Sequence, residues 1–334
     1  MAGEAIARSP RRRRPRFNVK DGYTRSMVDA IAHVAVGVAD LQPVFDLWID
    51  RFGLEIVAQR TGPDAGLGKL WEIPAERVVD QVLLRTPGAG TGWLHFVQFD
   101  KPDSPVRSGA AATDLGPKNL DVNCCDMAAR YAELQALGCR FRSEIVEYRV
   151  GEIHAREVQM PGHDDTNIVL IEILSDGFDI ELSPAGYGGV TSFVVVVPDT
   201  RVEAAFYRDI FDLDEIMHHR ITGPAIEKAV GLPKDAALDM RLMGREAHIF
   251  GRMELIAYDG LKGTDRFALA RAPALGTLHC GLAVESVQQI LGRAQRAGLA
   301  FHEFQDLDTI FGAGPMGVLQ SPAGLRIEVY EKPE

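Results

Sequence analysis

The sequence predicts an α+β fold assembled from four strand–helix–strand repeats. Three observations predict it. A strand-plus-helix pattern at residues 31–52 recurs at residues 191–211, and a second such pattern at residues 119–138 recurs at residues 279–298. The two patterns also resemble each other, so the chain contains four related segments. Agreement of this kind across four segments indicates an internally repeated architecture.

The first repeated pattern is an apolar strand that ends at an acidic residue. Residues 31–40 form such a strand and end at Asp40, and residues 191–199 end at Asp199. Apolar residues at helical spacing follow in both copies. When Asp40 is aligned with Asp199, Trp48 aligns with Tyr207 and Phe52 aligns with Phe211.

The second repeated pattern has the same plan and a clearer helix end. Residues 119–123 and 279–284 are strands, and the helices that follow them end at Gly138 and Gly298. Glycine is the expected residue at a left-handed helix stop. The two repeated patterns together predict four units, with the boundaries 28–100, 116–175, 188–260 and 275–332. They group into module one, 28–175, and module two, 188–334, after a basic tail at 1–27 that we expect to be disordered.

Charge and composition narrow the function classes. The net charge is −11, and residues 1–26 carry eight basic and two acidic residues, a net of +6 that leaves −17 for the remainder. The strong negative charge of residues 27–334 argues against nucleic acid as the main ligand. No apolar run approaches a membrane span, and the tail at 1–27 lacks a secretory apolar core, so we expect a cytoplasmic protein. The four cysteines form no disulfide-like framework.

Several short motifs resemble the vicinal-oxygen-chelate superfamily, which includes glyoxalase I, fosfomycin-resistance proteins, methylmalonyl-CoA epimerase and extradiol dioxygenases. The motifs are His33 with Asp40 seven residues later, Phe52-Gly53-Leu54, His279 with Val284, and the closing segment at residues 321–328. The resemblance covers nearly everything after residue 27. It implies four βαβββ units whose mixed sheets pair and curl into open cups.

The resemblance also implies a divalent metal held on the first and last strands of the units. Strand side chains alternate, so one residue of each strand faces the cup at the height of the metal. The first-strand positions are His33, Asn119, Ser192 and His279, and the last-strand positions are His95, Glu172, Glu254 and Glu328. Nitrogen and oxygen ligands of this kind accept Fe, Mn, Ni, Co or Zn.

Which units share a cup decides the metal site. If neighbouring units pair, each cup receives one weak ligand, Asn119 in one and Ser192 in the other. If unit one pairs with unit four instead, His33, His95, His279 and Glu328 share one cup. The exchanged arrangement is favoured because it concentrates the strong ligands in one site.

The implied function is metal-dependent chemistry on a small organic substrate that chelates the ion through adjacent oxygens. Lyase or isomerase chemistry through an enolate is favoured, with Glu328 and His95 as the catalytic acid and base. Extradiol ring cleavage is disfavoured because residues 311–318 lack the histidine and tyrosine of those relatives. Another iron oxygenation and metal-free sequestration of a ligand remain as alternatives, in a monomer or a homodimer. Five residues are weaker candidates for pocket lining: Trp48, Phe96, Tyr207, Met217 and Phe311.

Overall fold

The computed structural model describes residues 28–177, 180 and 182–332, so the predicted tail at 1–27 lies outside the described part of the chain. The described part contains sixteen strands and six α-helices. Unit one contains β1 (His33–Val38), α1 (Gln42–Val44) continued by a π-helical segment (Phe45–Arg51), β2 (Glu55–Thr61), α2 (Ala65–Trp71), β3 (Val78–Arg85) and β4 (Trp93–Phe99). Unit two contains β5 (Gly116–Cys124), α3 (Met127–Ala136), β6 (Val146–Val150), β7 (Ile153–Pro161) and β8 (Asn167–Ile173).

The second half of the chain repeats this order. Unit three contains β9 (Tyr187–Val196), α4 (Thr200–Phe211), β10 (Asp214–Thr222), α5 (Pro224–Val230), β11 (Ala237–Gly244) and β12 (Arg252–Tyr258). Unit four contains β13 (Gly276–Val284), α6 (Val287–Arg296), β14 (Phe301–Thr309), β15 (Gly312–Gln320) and β16 (Arg326–Glu331). Every unit is a strand, a helix and three strands, with a second short helix, α2 or α5, after the second strand of units one and three, so the predicted α+β class and its βαβββ units are confirmed.

The strands form two eight-stranded mixed sheets. The first sheet has the order β14-β15-β16-β13-β1-β4-β3-β2 and joins units one and four. The second sheet has the order β10-β11-β12-β9-β5-β8-β7-β6 and joins units two and three. At the centre of the first sheet β1 pairs antiparallel with β13, which sets His33 opposite Gly281 and Ala35 opposite His279. The favoured exchange of units is therefore confirmed, and each sheet takes one unit from each half of the chain.

The repeated sequence features have local structural causes. The Asp199 side chain accepts hydrogen bonds from the backbone N–H groups of Arg201 and Val202 and so caps α4. Asp40 accepts one from Gln42 at the start of α1. Gly138 and Gly298 have φ of 91° and 72°, the left-handed conformation that ends a helix. The repeated acid therefore marks where α1 and α4 begin, and the repeated glycine marks where α3 and α6 end.

Three apolar clusters hold the fold together. The largest combines residues of both sheets with the buried faces of the helices, and it contains Trp48, Phe96 and Tyr207. These three predicted lining residues are therefore core. The other two clusters lie one in each sheet, on the face that the sheet curls around. Those two concave faces are where the chemistry-bearing side chains lie.

Candidate metal centre and the two concave faces

The four predicted metal ligands come together in the first sheet. His33 on β1, His95 on β4, His279 on β13 and Glu328 on β16 are each at most 1% exposed. The Nε2 atom of His279 lies 3.0 Å from Oε1 of Glu328, and Nε2 of His33 lies 3.7 Å from Oε2 of the same carboxylate. The ring centroids of His33 and His95 are 5.8 Å apart. Four neighbouring strands thus contribute one side chain each, because alternate residues of a strand face the same side.

Gly281 makes room for the His33 imidazole. A Cβ atom built on Gly281 would lie 2.1 Å from Cε1 of His33, far closer than non-bonded carbon atoms approach. The glycine lies inside β13, where it weakens a strand and usually marks a close approach by another group. Here the approaching group is the imidazole, so the position of His33 depends on the residue opposite it.

Hydrogen bonds fix the orientation of His95. Its Nε2 atom lies 2.9 Å from Oε1 of Gln81, whose Nε2 donates at 2.7 Å to Oδ2 of Asp64. Because the amide nitrogen of Gln81 is already donating to a carboxylate, its oxygen faces His95 and accepts the imidazole N–H. The lone pair of His95 is therefore on Nδ1. Residues that orient a ligand in this way are typical partners of metal-bound histidines.

The protonation states of the cluster follow from its burial. Burial raises the pKa of Glu328, but the charge and hydrogen bond of His279 outweigh it and hold this pKa well below its usual value. Burial lowers the pKa of His95 well below its usual value, and the neighbouring His33 adds to the effect. Trp71 donates from Nε1 to Oε1 of Glu328 at 2.6 Å and supports the carboxylate. An ionised carboxylate and a neutral imidazole are the forms that bind metal ions.

The donor set fits a divalent ion, although the coordination sphere is not preformed. Four buried atoms of the cluster have no hydrogen-bond partner: Nε2 of His33, Nδ1 of His95, Nδ1 of His279 and Oε2 of Glu328. Buried polar atoms without hydrogen bonds are rare, and four in one cluster, of which Nε2 of His33 and Oε2 of Glu328 lie 3.7 Å apart, suit a ligand bound among them. No three His, Cys, Asp or Glu side chains within residues 28–177, 180 and 182–332 are already arranged around a common ion position. Instead, Nε2 of His279 and Oε1 of Glu328, two atoms that could bind an ion, are hydrogen-bonded to each other.

Large side chains fill the space above this cluster. Phe311 stacks on His33 with ring centroids 4.2 Å apart, and Tyr330 lies behind Phe311 at 4.7 Å. Trp71, at the end of α2, contacts the ring of His279 at a centroid distance of 5.1 Å. Phe311 was predicted to line a pocket and does cover the cluster. The roles of Trp71, Gln81 and Gly281 were not predicted, although a glycine inside an apolar strand was a visible indication of close approach.

The counterpart positions in the second sheet surround a cavity of about 720 Å³. Asn119, Ser192 and Glu254 line it, as predicted for that sheet, and Met217 lines its wall. The prediction for Glu172 is wrong. Gly281 pairs with Glu328 and its counterpart Asp121 pairs with Val169, so Val169 takes the position of Glu328. Glu172 accepts a hydrogen bond from the backbone of Asp126 at 2.9 Å and lies outside the cavity.

Comparisons with known proteins identify the fold. No protein-family model matches the chain, and no curated protein is similar to it in sequence. Among solved structures, glyoxalase I from Zea mays matches with a TM-score of 0.60 and 12% identity, over 91% of this chain and 92% of that chain. A predicted dioxygenase from Bacillus subtilis matches with a TM-score of 0.60 and 13% identity, over 92% of this chain and 87% of that chain.

The chain therefore has the two-module vicinal-oxygen-chelate fold, as the resemblance implied. Within the described residues, no helix is both long enough and apolar enough to span a membrane.

Proposed function

We propose that the chain is a metal-dependent enzyme in which His33, His95, His279 and Glu328 hold one divalent ion for a small organic substrate. The observation that carries the proposal is the convergence of these four buried side chains from four strands, each with an unpartnered nitrogen or oxygen atom. The fold shared with glyoxalase I supports an enzymatic function for this chain. The nitrogen and oxygen ligands suit Fe, Mn, Ni, Co or Zn.

Lyase or isomerase chemistry through an enolate is the reaction class that we propose. An ion held by these residues would act as a Lewis acid that polarises a substrate carbonyl and stabilises negative charge on its oxygen atoms. Glu328 and His95 are the acid and base that we propose, because each has a buried atom without a hydrogen-bond partner, Oε2 or Nδ1, that can take a proton from a substrate carbon and return it when it is not holding the ion. Gln81 and Trp71 hold these two side chains in place by their hydrogen bonds.

Access for the substrate requires the β14–β15 turn to move. Phe311 lies in that turn and stacks on His33, and Gly312 and Gly314 follow it with φ of 111° and 158°. Backbone of this kind changes conformation at low cost. We therefore propose that the substrate takes the position of the Phe311 ring. Burial of the reacting atoms under such a turn also excludes water.

Two other functions are supported by single observations. The dioxygenase relative from Bacillus subtilis supports an iron oxygenase that uses the same four ligands. The 720 Å³ cavity of the second sheet supports binding of a ligand without metal. The iron oxygenase would use the same metal site as the enolate reaction, whereas ligand binding in the second sheet needs no metal. Metal content therefore separates the ligand-binding function from the two metal-dependent reactions.

Metal titration of the apo protein tests the proposed site. We expect one high-affinity Co²⁺ or Zn²⁺ per chain by calorimetry. Mutation of a residue that only hydrogen-bonds to a metal ligand already lowers metal affinity by about 10–100-fold. His33→Ala and His279→Ala, which remove ligands from units one and four, should therefore each weaken binding by at least about 100-fold.

His302→Ala is the matched control, because His302 is exposed on β14. It should bind the ion like the unmodified chain. Loss of binding with only one of the two ligand variants would contradict a site shared between the two units.

A further inference from the structure

The concave face of the second sheet holds a cavity because three large aromatic side chains of the first sheet have smaller or non-aromatic counterparts there. The counterparts lie at the aligned positions of the other half of the chain, in the same strand or helix register. Trp71 corresponds to Val230, Phe311 to Glu152, and Tyr330 to Ile171. All three replacements line the cavity of about 720 Å³. Its volume is in the range of sites that hold an organic molecule.

The floor of the cavity is polar and well connected. Asp121 is 4% exposed and accepts a hydrogen bond from Nδ2 of Asn119 at 2.6 Å. It also shares hydrogen bonds with Ser192 and Glu254. Ser192 and Asp121 replace His33 and Gly281 of the first sheet, so a hydroxyl and a carboxyl share the space that one imidazole fills there.

A further carboxyl and one amine complete the floor. Glu157, 9% exposed, shares a hydrogen bond with Tyr148, and Nζ of Lys118 donates to the Tyr258 hydroxyl. The walls above the floor are mostly apolar, although the charged side chains of Glu152, Glu246 and Arg252 also line the cavity; the apolar wall residues include Val194, Met217, Ile226, Met240, Leu242 and Ile256. The cavity therefore has a hydrogen-bonding end and an apolar body.

The floor has more carboxyls than cations. Asp121, Glu157 and Glu254 face one ammonium group, that of Lys118, so full ionisation would leave two negative charges without a partner. Burial raises the pKa of all three acids, that of Glu254 to about 7, and lowers the pKa of Lys118 to about 7. Burial therefore disfavours the ionised forms of these acids when no other cation is beside them. A cation from outside would stabilise the ionised carboxylates through charge-assisted hydrogen bonds.

We propose that this cavity is a binding site for an apolar organic molecule that carries one protonated amine. The ammonium group lies at Asp121, Glu157 and Glu254, and the hydrocarbon body lies along the apolar walls. The site is in the second sheet and needs none of His33, His95, His279 or Glu328. Its ligand therefore binds whether or not the first sheet holds a metal.

Three probes of equal chain length test the assignment: n-octylamine, octan-1-ol and octanoate. Calorimetry at pH 7.5, on the full chain treated with chelator, should show saturable binding of the amine. Charge-assisted hydrogen bonds are about twice as strong as neutral ones, so the amine should bind about tenfold more tightly than the alcohol. Octanoate should bind most weakly. Equal affinities for amine and carboxylate, or no saturable binding of the amine, would overturn the proposal.

Variants separate the cavity from its charge. Val230→Trp and Ile171→Tyr introduce the side chains that fill the first sheet, and each should remove amine binding while thermal unfolding shows an intact fold. Asp121→Asn combined with Glu254→Gln should keep binding of octan-1-ol and remove the preference for the amine. Glu172→Gln, outside the cavity, should change neither. Amine affinity that survives both filling variants would place the ligand elsewhere.

Discussion

Replacing Gly281 with alanine is expected to destabilise the protein and to abolish high-affinity metal binding together. The added Cβ would lie 2.1 Å from Cε1 of His33, so the imidazole must leave its position or the two central strands must separate. Overpacking of a buried site costs about 1–3 kcal/mol of unfolding free energy. Denaturant unfolding and metal titration of Gly281→Ala measure the two effects.

A double-mutant cycle shows whether His33 is the cause. In a His33→Ala background the same Gly281→Ala change should cost little, because the clashing ring is absent. Gly90→Ala is the control, since a Cβ at Gly90 meets no atom within 4 Å. An equal loss of stability with and without the imidazole would show that Gly281 is needed for another reason. His33→Ser with Gly281→Asp, which copies Ser192 and Asp121, should fold and bind no ion at this site.

Replacing Glu203 with glutamine is expected to remove a large pH dependence of stability. Glu203 lies in the first turn of α4, is 2% exposed, and accepts hydrogen bonds from Oγ of Ser321 at 3.2 Å and from the backbone N–H of Ala323. Burial raises the pKa of this carboxyl to about 7 in spite of these bonds. It links a helix of unit three to the turn before β16 of unit four.

The sign of the effect follows from proton binding. Between about pH 4.5 and pH 7 the folded state retains the proton of Glu203 and the unfolded state releases it, so stability falls as pH rises through this window. A shift from 4.5 to about 7 corresponds to about 3 kcal/mol of stability lost by pH 8. Glutamine keeps an acceptor oxygen without a titrating proton, so Glu203→Gln should lack this loss.

Denaturant unfolding at pH 5 and at pH 8 measures the difference. The unfolding free energy of the variant minus that of the unmodified chain should rise by about 2.5 kcal/mol from pH 5 to pH 8, because the unfolded state already releases part of its protons at pH 5. Asp209→Asn, an exposed position on the same helix, is the control and should leave this difference unchanged. A constant difference for Glu203→Gln across this range would mean that the carboxyl is already ionised at pH 5.

The repeat made the architecture predictable from sequence. Asp40 and Asp199 accept backbone hydrogen bonds at the starts of the equivalent helices α1 and α4, and Gly138 and Gly298 follow the ends of the equivalent helices α3 and α6, so local chemistry repeats with the fold. The grouping of units also followed from sequence, because only the exchange of units brings three histidines and Glu328 into one sheet. In the structure, the pairing of β1 with β13 joins unit one to unit four in one sheet.

Other features depend on contacts that no local pattern encodes. Residues 167–173 are nearly all apolar, so alternation could not show which of them faces the cavity, and Glu172 was placed where Val169 lies. In the sequence, Trp71 and Phe311 resemble ordinary core residues. In the structure, Trp71 of unit one contacts His279 of unit four, and Phe311 in the β14–β15 turn contacts His33 of unit one. Val230, Glu152 and Ile171 line the cavity of the second sheet at positions where the first sheet has larger aromatic side chains, and this difference is visible only when the two sheets are compared.

Anomalous scattering from a crystal of the full chain loaded with Co²⁺ tests the central claim most directly. The account predicts one strong peak within bonding distance of side chains from both unit one and unit four, with His33, His279 and Glu328 among them. A map that places the ion elsewhere, or that shows the His279–Glu328 hydrogen bond intact with no ion beside it, would contradict a metal centre in the first sheet.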